Sequence, residues 1–230
     1  LSGAFDILDV GCGTGEITRR LAERYPRAQL LGLDILEGNL QLARRDSIGF
    51  GARVRYEVGD AFALKQADTS VDLLVCRHMS QAVPEFPRVL AEFRRVLRPG
   101  GWLHLLSEDY GMLHMKADGV RDPDRFWNQV VVSSFFQSIG CDGRIGRHSP
   151  ALLAEAGFEA IAMDYVTVDT LRVPRATFAG ILEAWKDGYS PALAEASARS
   201  VDEIEAEFDS ILASIRIEPN YAVWHVPVVS

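Results

Sequence analysis

Between Ile7 and Leu21 the chain reads ILDVGCGTGEITRRL, with Gly11, Gly13 and Gly15 inside five residues directly after a short apolar run. A strand running into a glycine loop and then a helix presents backbone N–H groups and a partial positive charge at the carboxyl edge of a sheet, where open α/β folds bind ligands. The spacing narrows the ligand. A nicotinamide site needs Gly-x-Gly-x-x-Gly, whereas Glu16 stands where the third glycine would be, and no Tyr-x-x-x-Lys dyad occurs. A phosphate-binding P-loop is excluded because its Gly-Lys-Ser/Thr ending is missing. Cys12, Cys76 and Cys141 are widely spaced without a Cys-x-x-Cys pair, so neither a disulfide framework nor a zinc site is expected. Cys76 reads as a small strand-end hydrophobe.

The elements that must carry this loop alternate in kind. β-rich runs at Phe5–Val10, Gln29–Asp34, Val54–Val58, Val71–Cys76 and Trp102–Leu106 are separated by stretches of helical periodicity. Phe86, Val89, Leu90, Phe93, Val96 and Leu97 form one such stripe, which Arg98-Pro99-Gly100-Gly101 stops. Alternation of this kind predicts an α/β, doubly wound, mostly parallel sheet. Two insertions interrupt it, at about 108–147 with a helix around Phe126–Ile139, and at 174–218 with two or three helices. The last of these places Val201, Ile204, Phe208, Ile211 and Ile215 on one side. Without repeats or a linker, the 230 residues read as a single domain.

Five segments, DVGCGTG (9–15), LGLDI (31–35), VGDAF (58–62), VDLLVCRHM (71–79) and EFRRVLRPGGWLHLL (92–106), occur in an order and spacing that resembles the class I S-adenosylmethionine-dependent methyltransferases. A weaker echo lies in LLAEAGFEAI. The resemblance implies a Rossmann-like seven-stranded sheet, with a sixth strand near Phe158–Tyr165 and an antiparallel seventh near Tyr221–Pro227. It also implies S-adenosylmethionine as cofactor and S-adenosylhomocysteine as product. Carried over by position, Gly11, Cys12 and Gly13 pass beneath the methionine part, and Asp9 orders their loop. Asp34 accepts from both ribose hydroxyls, a task that suits an acceptor-only carboxylate. Ile35 lies against adenine, Asp60 accepts from its amino group, and the backbone of Ala61 meets the ring edge. The backbone of Cys76 and Arg77 holds the amino acid moiety. No Asn/Asp-Pro-Pro-Tyr/Phe tetrapeptide is present, which argues against nucleic-acid or protein amide targets.

Methyl transfer from a sulfonium is an in-line displacement, so alignment alone contributes roughly 7 to 11 kcal/mol and a base adds about 10²- to 10⁴-fold when the acceptor must lose a proton. The acceptor side is therefore sought in lid segments. SEDYGMLHM follows the fifth strand, and Asp109, Tyr110 and His114, with His78 after the fourth strand, are the candidate catalytic residues. Asp109 equally fits a turn. Trp127 in the first insertion, with Trp185 and Tyr189 in the second, could wall an acceptor or hold a cation over a ring. Lid core is the more common role for such residues. Arg147 could pair with a substrate carboxylate or cap the helix that follows.

Composition sets the remaining bounds. The formal charge is −8, and 183–218 alone carries nine acidic against three basic residues, so nucleic acid is not expected as a partner. No apolar run reaches the ~18 to 20 residues of a membrane span. The chain opens on Leu1 rather than methionine and almost on a strand, so upstream residues are expected. The expected protein is a cytoplasmic transferase acting on an oxygen or nitrogen of a small-molecule acceptor, without a metal, as monomer or homodimer. A carbon acceptor of the quinone type, or a catalytically silent cofactor-binding scaffold, are the alternatives.

Overall fold

A computed structural model of the chain describes residues 5–116, 121–218 and 220–230. In chain order the elements are β1 (Asp6–Val10), α1 (Glu16–Arg24), β2 (Gln29–Asp34), α2 (Glu37–Asp46), β3 (Val54–Val58), β4 (Val71–Arg77), α3 (Phe86–Val96), β5 (Leu97–Leu106), β6 (Leu113–Met115), α4 (Pro123–Phe126), α5 (Phe136–Ser138), α6 (Ile145–Glu155), β7 (Met163–Asp169), α7 (Arg175–Ser197), α8 (Val201–Arg216) and β8 (Ala222–Val229). They form two compact units: 1–107 with 148–163 and 228–230, and 108–147 with 164–227.

The first unit is built on a parallel sheet in the order β3-β2-β1-β4-β5, with Leu8 paired to Leu31 on one side and to Leu74 on the other. Strands covered on both faces read as continuous apolar runs, and Ile7, Leu8 and Val10 of β1 are each at most 2 % exposed. Val228 and Val229 run antiparallel to Leu106 and Leu105. Helix α3 buries the predicted stripe Phe86, Val89, Leu90, Phe93 and Val96. Leu97 instead turns extended (φ −70°, ψ 135°) and opens β5, because Pro99 cannot continue a helix. The strand order, though not the strand direction, reverses between β1 and β4. Open α/β sheets bind ligands at such a switch point, beyond the carboxyl ends of the strands.

The second unit holds β6 antiparallel to β8, with Leu113 opposite Trp224, and β7 also pairs β8. Among the described residues the strands number eight rather than the expected seven. Three-residue β6 was too short to leave a period in the sequence, and the strand expected near Phe158–Tyr165 begins later, at Met163. The helix expected around Phe126–Ile139 is present, but its middle, Trp127–Phe135, closes π-type turns. Helices α7 and α8 pack together, and α8 starts in a capping box in which Ser200 and Glu203 bond each other's backbone N–H. Its buried stripe is Ile204, Phe208, Ile211, Leu212 and Ile215. Val201, expected on that stripe, is 37 % exposed at the first turn. Among the described residues no helix is long and apolar enough to cross a membrane.

Candidate active site

The glycine loop sits at the switch point. The amides of Gly11 and Cys12 both donate to the Leu33 carbonyl, at 2.8 and 2.9 Å, which draws the loop over the end of β2. Gly11, Gly13 and Gly15 all take left-handed backbone (φ 74°, 53° and 77°). The requirement is sharpest at Gly15, where a Cβ would stand 2.5 Å from the Tyr56 hydroxyl. Above Gly13 a Cβ would meet nothing within 4 Å, so this part of the loop is open for a ligand.

Asp34 ties the loop to the sheet. Its Oδ2 accepts from Gly13 N at 2.8 Å and its Oδ1 from Leu36 N at 2.9 Å. A carboxylate offers about four acceptor sites, so two remain for a ligand hydroxyl pair. Asp9 lies beneath the loop, 2 % exposed, and accepts from Thr18 Oγ1 at 2.5 Å. Burial pushes its carboxyl from 3.8 up to about 6, against the lowering effect of the Thr18 bond and the Arg77 charge. The Cys12 thiol is likewise pushed up by burial and by the neighbouring Asp9 and Asp34.

These groups line a cleft of about 410 Å³, within the range of small-molecule sites, whose far wall is Arg77, His78, Met79 and Ala82. His78 adopts φ 56°, a left-handed conformation uncommon outside glycine. Its amide donates to the Leu106 carbonyl, and the Gln81 side chain donates to the His78 carbonyl at 2.9 Å. Asp60 lies exposed beyond β3, with Oδ1 accepting from Phe62 N at 2.9 Å. Ile35, past the end of β2, is 70 % exposed. Cys76 is fully buried at the end of β4, as expected of a strand-end hydrophobe.

The second-unit candidates make their own structure. Asp109 is fully buried in a two-pronged pair with Arg147 (Nε to Oδ2 2.5 Å, Nη2 to Oδ1 2.9 Å). Arg147, one of the expected substrate-binding residues, is thus engaged by a residue of its own chain. Tyr110 is buried: Phe136 and Trp224 stack on it at 5.2 and 5.3 Å, and Trp185 meets it edge-on at 5.2 Å. Burial raises its phenol far above the usual range, so it does not ionise near neutrality. Trp127, 1 % exposed, donates from Nε1 to the Tyr110 carbonyl at 2.7 Å. His114 lies on β6 with Nδ1 3.1 Å from Asp124. Of these aromatic candidates Trp185 is half-buried and Tyr189 is 44 % exposed, their rings 4.6 Å apart.

Sequence reading missed Thr18, Tyr56 and Met79. The signal for Tyr56 was Gly32 inside strand β2, since a glycine in a strand marks close approach of another group. Thr18 and Met79 left no comparable signal.

Residues 7–101 match the family model of the methyltransferase domain. The match covers less than half of the chain. Demethylmenaquinone methyltransferase of Deinococcus radiodurans is 38% identical over 101 residues, covering 44% of this chain and 42% of that protein. Malonyl-[acyl-carrier protein] O-methyltransferase of Hahella chejuensis is 35% identical over 146 residues, covering 60% and 51%. The chain thus spans about half, or less, of the length of these methyltransferases. A structure from Bacillus halodurans, described as a methyltransferase candidate, superposes with a TM-score of 0.63 at 21% identity, covering 100% of this chain and 92% of that one, and so shares the fold.

Proposed function

We propose that the cleft between Gly13, Asp34 and Arg77 binds S-adenosylmethionine, and that the protein transfers its methyl group to an oxygen or nitrogen of a small metabolite. The observation that carries this reading is the Asp34 carboxylate: it fixes the glycine loop through Gly13 N and retains acceptor capacity beside an open loop face. When bound, the sulfonium supplies an electrophilic methyl and a ready leaving group, with S-adenosylhomocysteine as product.

The chain's own residues then bind and orient. The backbone of Gly11, Cys12 and Gly13 faces the methionine part over buried Asp9. Asp34 takes the ribose hydroxyls, and Ile35 offers apolar surface to adenine. Asp60 and Ala61 take the adenine edge, while the backbone at Cys76 and Arg77 meets the amino acid part. Alignment by these contacts supplies most of the rate. Of the candidate bases, His78 is the one that lines the cleft. A carbon acceptor is the second reading, favoured by the identity with the demethylmenaquinone enzyme.

Calorimetric titration with S-adenosylmethionine and S-adenosylhomocysteine, with NADH as control and Asp34→Ala alongside, tests the reading. Micromolar binding of both sulfur ligands, absent for NADH and lost in the variant, is expected. No binding by the folded parent protein would overturn it.

A further inference from the structure

Arg77 supplies the guanidinium among the groups lining the cleft, which also holds three carboxylates, Asp9, Glu16 and Asp34. Its Nε is buried and donates to no acceptor among the described residues. None of the ion pairs formed by the described arginines involves Arg77. A guanidinium with a buried, unbonded donor is costly unless an acceptor meets it. Its planar fork matches a carboxylate in two-pronged geometry.

The neighbouring charges narrow the choice of anion. Asp9 is too deeply buried to offer itself: it is 2 % exposed and bonded to Thr18. Asp34 spends one bond from each oxygen on backbone amides. A ligand anion entering this cleft is repelled by the carboxylates and attracted at Arg77. The cofactor of the reading above carries one anionic group, the α-carboxylate of its methionine part. Resting on that reading, we infer that the Arg77 guanidinium, and not only its backbone, is the anchor for that carboxylate. The methionine part is then held between the glycine loop on one side and β4 on the other.

Arg77 also borders a second hollow of about 530 Å³ beside Leu73, Val75, Trp102 and His104, so the alternative is a guanidinium serving that face of the sheet. A paired-ligand titration separates the two. Dissociation constants for S-adenosylhomocysteine and for its decarboxylated counterpart, which lacks only the carboxylate, are measured on the parent, Arg77→Ala and Arg77→Lys. The expected result is a loss of roughly 10- to 100-fold for S-adenosylhomocysteine in Arg77→Ala, no change for the decarboxylated ligand, and partial recovery in Arg77→Lys. Unchanged binding of the decarboxylated ligand also shows that the variant is folded. Equal losses for both ligands, or none for either, would overturn the carboxylate anchor while leaving the cofactor reading intact. Failure of the parent to bind either ligand would overturn both.

Discussion

The Tyr56 ring lies flush against Gly32: a Cβ at Gly32 would stand 2.6 Å from Tyr56 Cδ1 and 2.7 Å from Cε1. The side chain starts on β3, crosses the neighbouring β2 at the one residue without a side chain, and ends under the glycine loop. There its hydroxyl lies 2.9 Å from Ser47 Oγ and 3.4 Å from the Gly15 carbonyl. Gly32→Ala is expected to force the ring away and destabilise the protein by about 1–3 kcal/mol, the usual cost of overpacking. Tyr56→Phe keeps the ring and loses only the hydroxyl bonds, about 1 kcal/mol. Thermal unfolding of the two variants checks the order. If Gly32→Ala unfolds at the parent's temperature, the ring does not need that space.

Asp9 makes stability depend on pH with an unusual sign. Its folded-state carboxyl titrates near 6 and its ordinary value is 3.8, so between those pH values the folded chain holds a proton that the unfolded chain has released. The associated stability is full below about 4 and is lost as pH rises through about 6. The gap corresponds to about 3 kcal/mol. Asp9→Asn, uncharged at every pH, is expected to gain on the parent as pH rises from 4 to 7, with the gain levelling off above 7. Denaturant midpoints of both proteins across this range measure the difference directly, and parallel curves would contradict the assignment.

Much of this was legible in the sequence because period carries the signal. The parallel strands and the α3 stripe follow from apolar runs and three-four spacing. The loop at 11–15 and Asp34 were readable from residue type and order. What sequence could not convey is non-local. Asp109 and Arg147 are 38 positions apart, and neither residue type reveals that they pair. Tyr110 follows a strand like an active-site residue, and only the packing of Phe136, Trp185 and Trp224 makes it core. The π-type turns of Trp127–Phe135 share the apolar content of an ordinary helix.

The Asp109–Arg147 pair is expected to behave as structure. Removing Arg147 leaves a fully buried carboxylate without its main counter-charge, and Arg147→Ala is expected to cost about 3 kcal/mol. Arg147→Ala combined with Asp109→Asn is expected to recover part of that loss, since the stranded charge is gone. Chemical denaturation of the two single variants and the double variant gives the coupling. Additive losses would mean that each residue acts alone.

His78 stores backbone strain at the rim of the cleft, with φ 56° in a residue that carries a Cβ. A left-handed conformation costs a non-glycine residue about 1–2 kcal/mol, and its persistence at a ligand cleft points to function rather than stability. A glycine in place of the histidine removes the strain. His78→Gly is therefore expected to match or exceed the parent in thermal stability and to bind S-adenosylhomocysteine with parent affinity. With an acceptor found by screening, the same variant is expected to transfer methyl about 10²-fold more slowly if the imidazole takes the acceptor's proton. His78→Ala keeps the strain and loses the imidazole, so it is expected to share the slow transfer without the gain in stability. Full transfer rates in both variants would remove His78 from the acceptor side and leave alignment by the cleft as the source of catalysis.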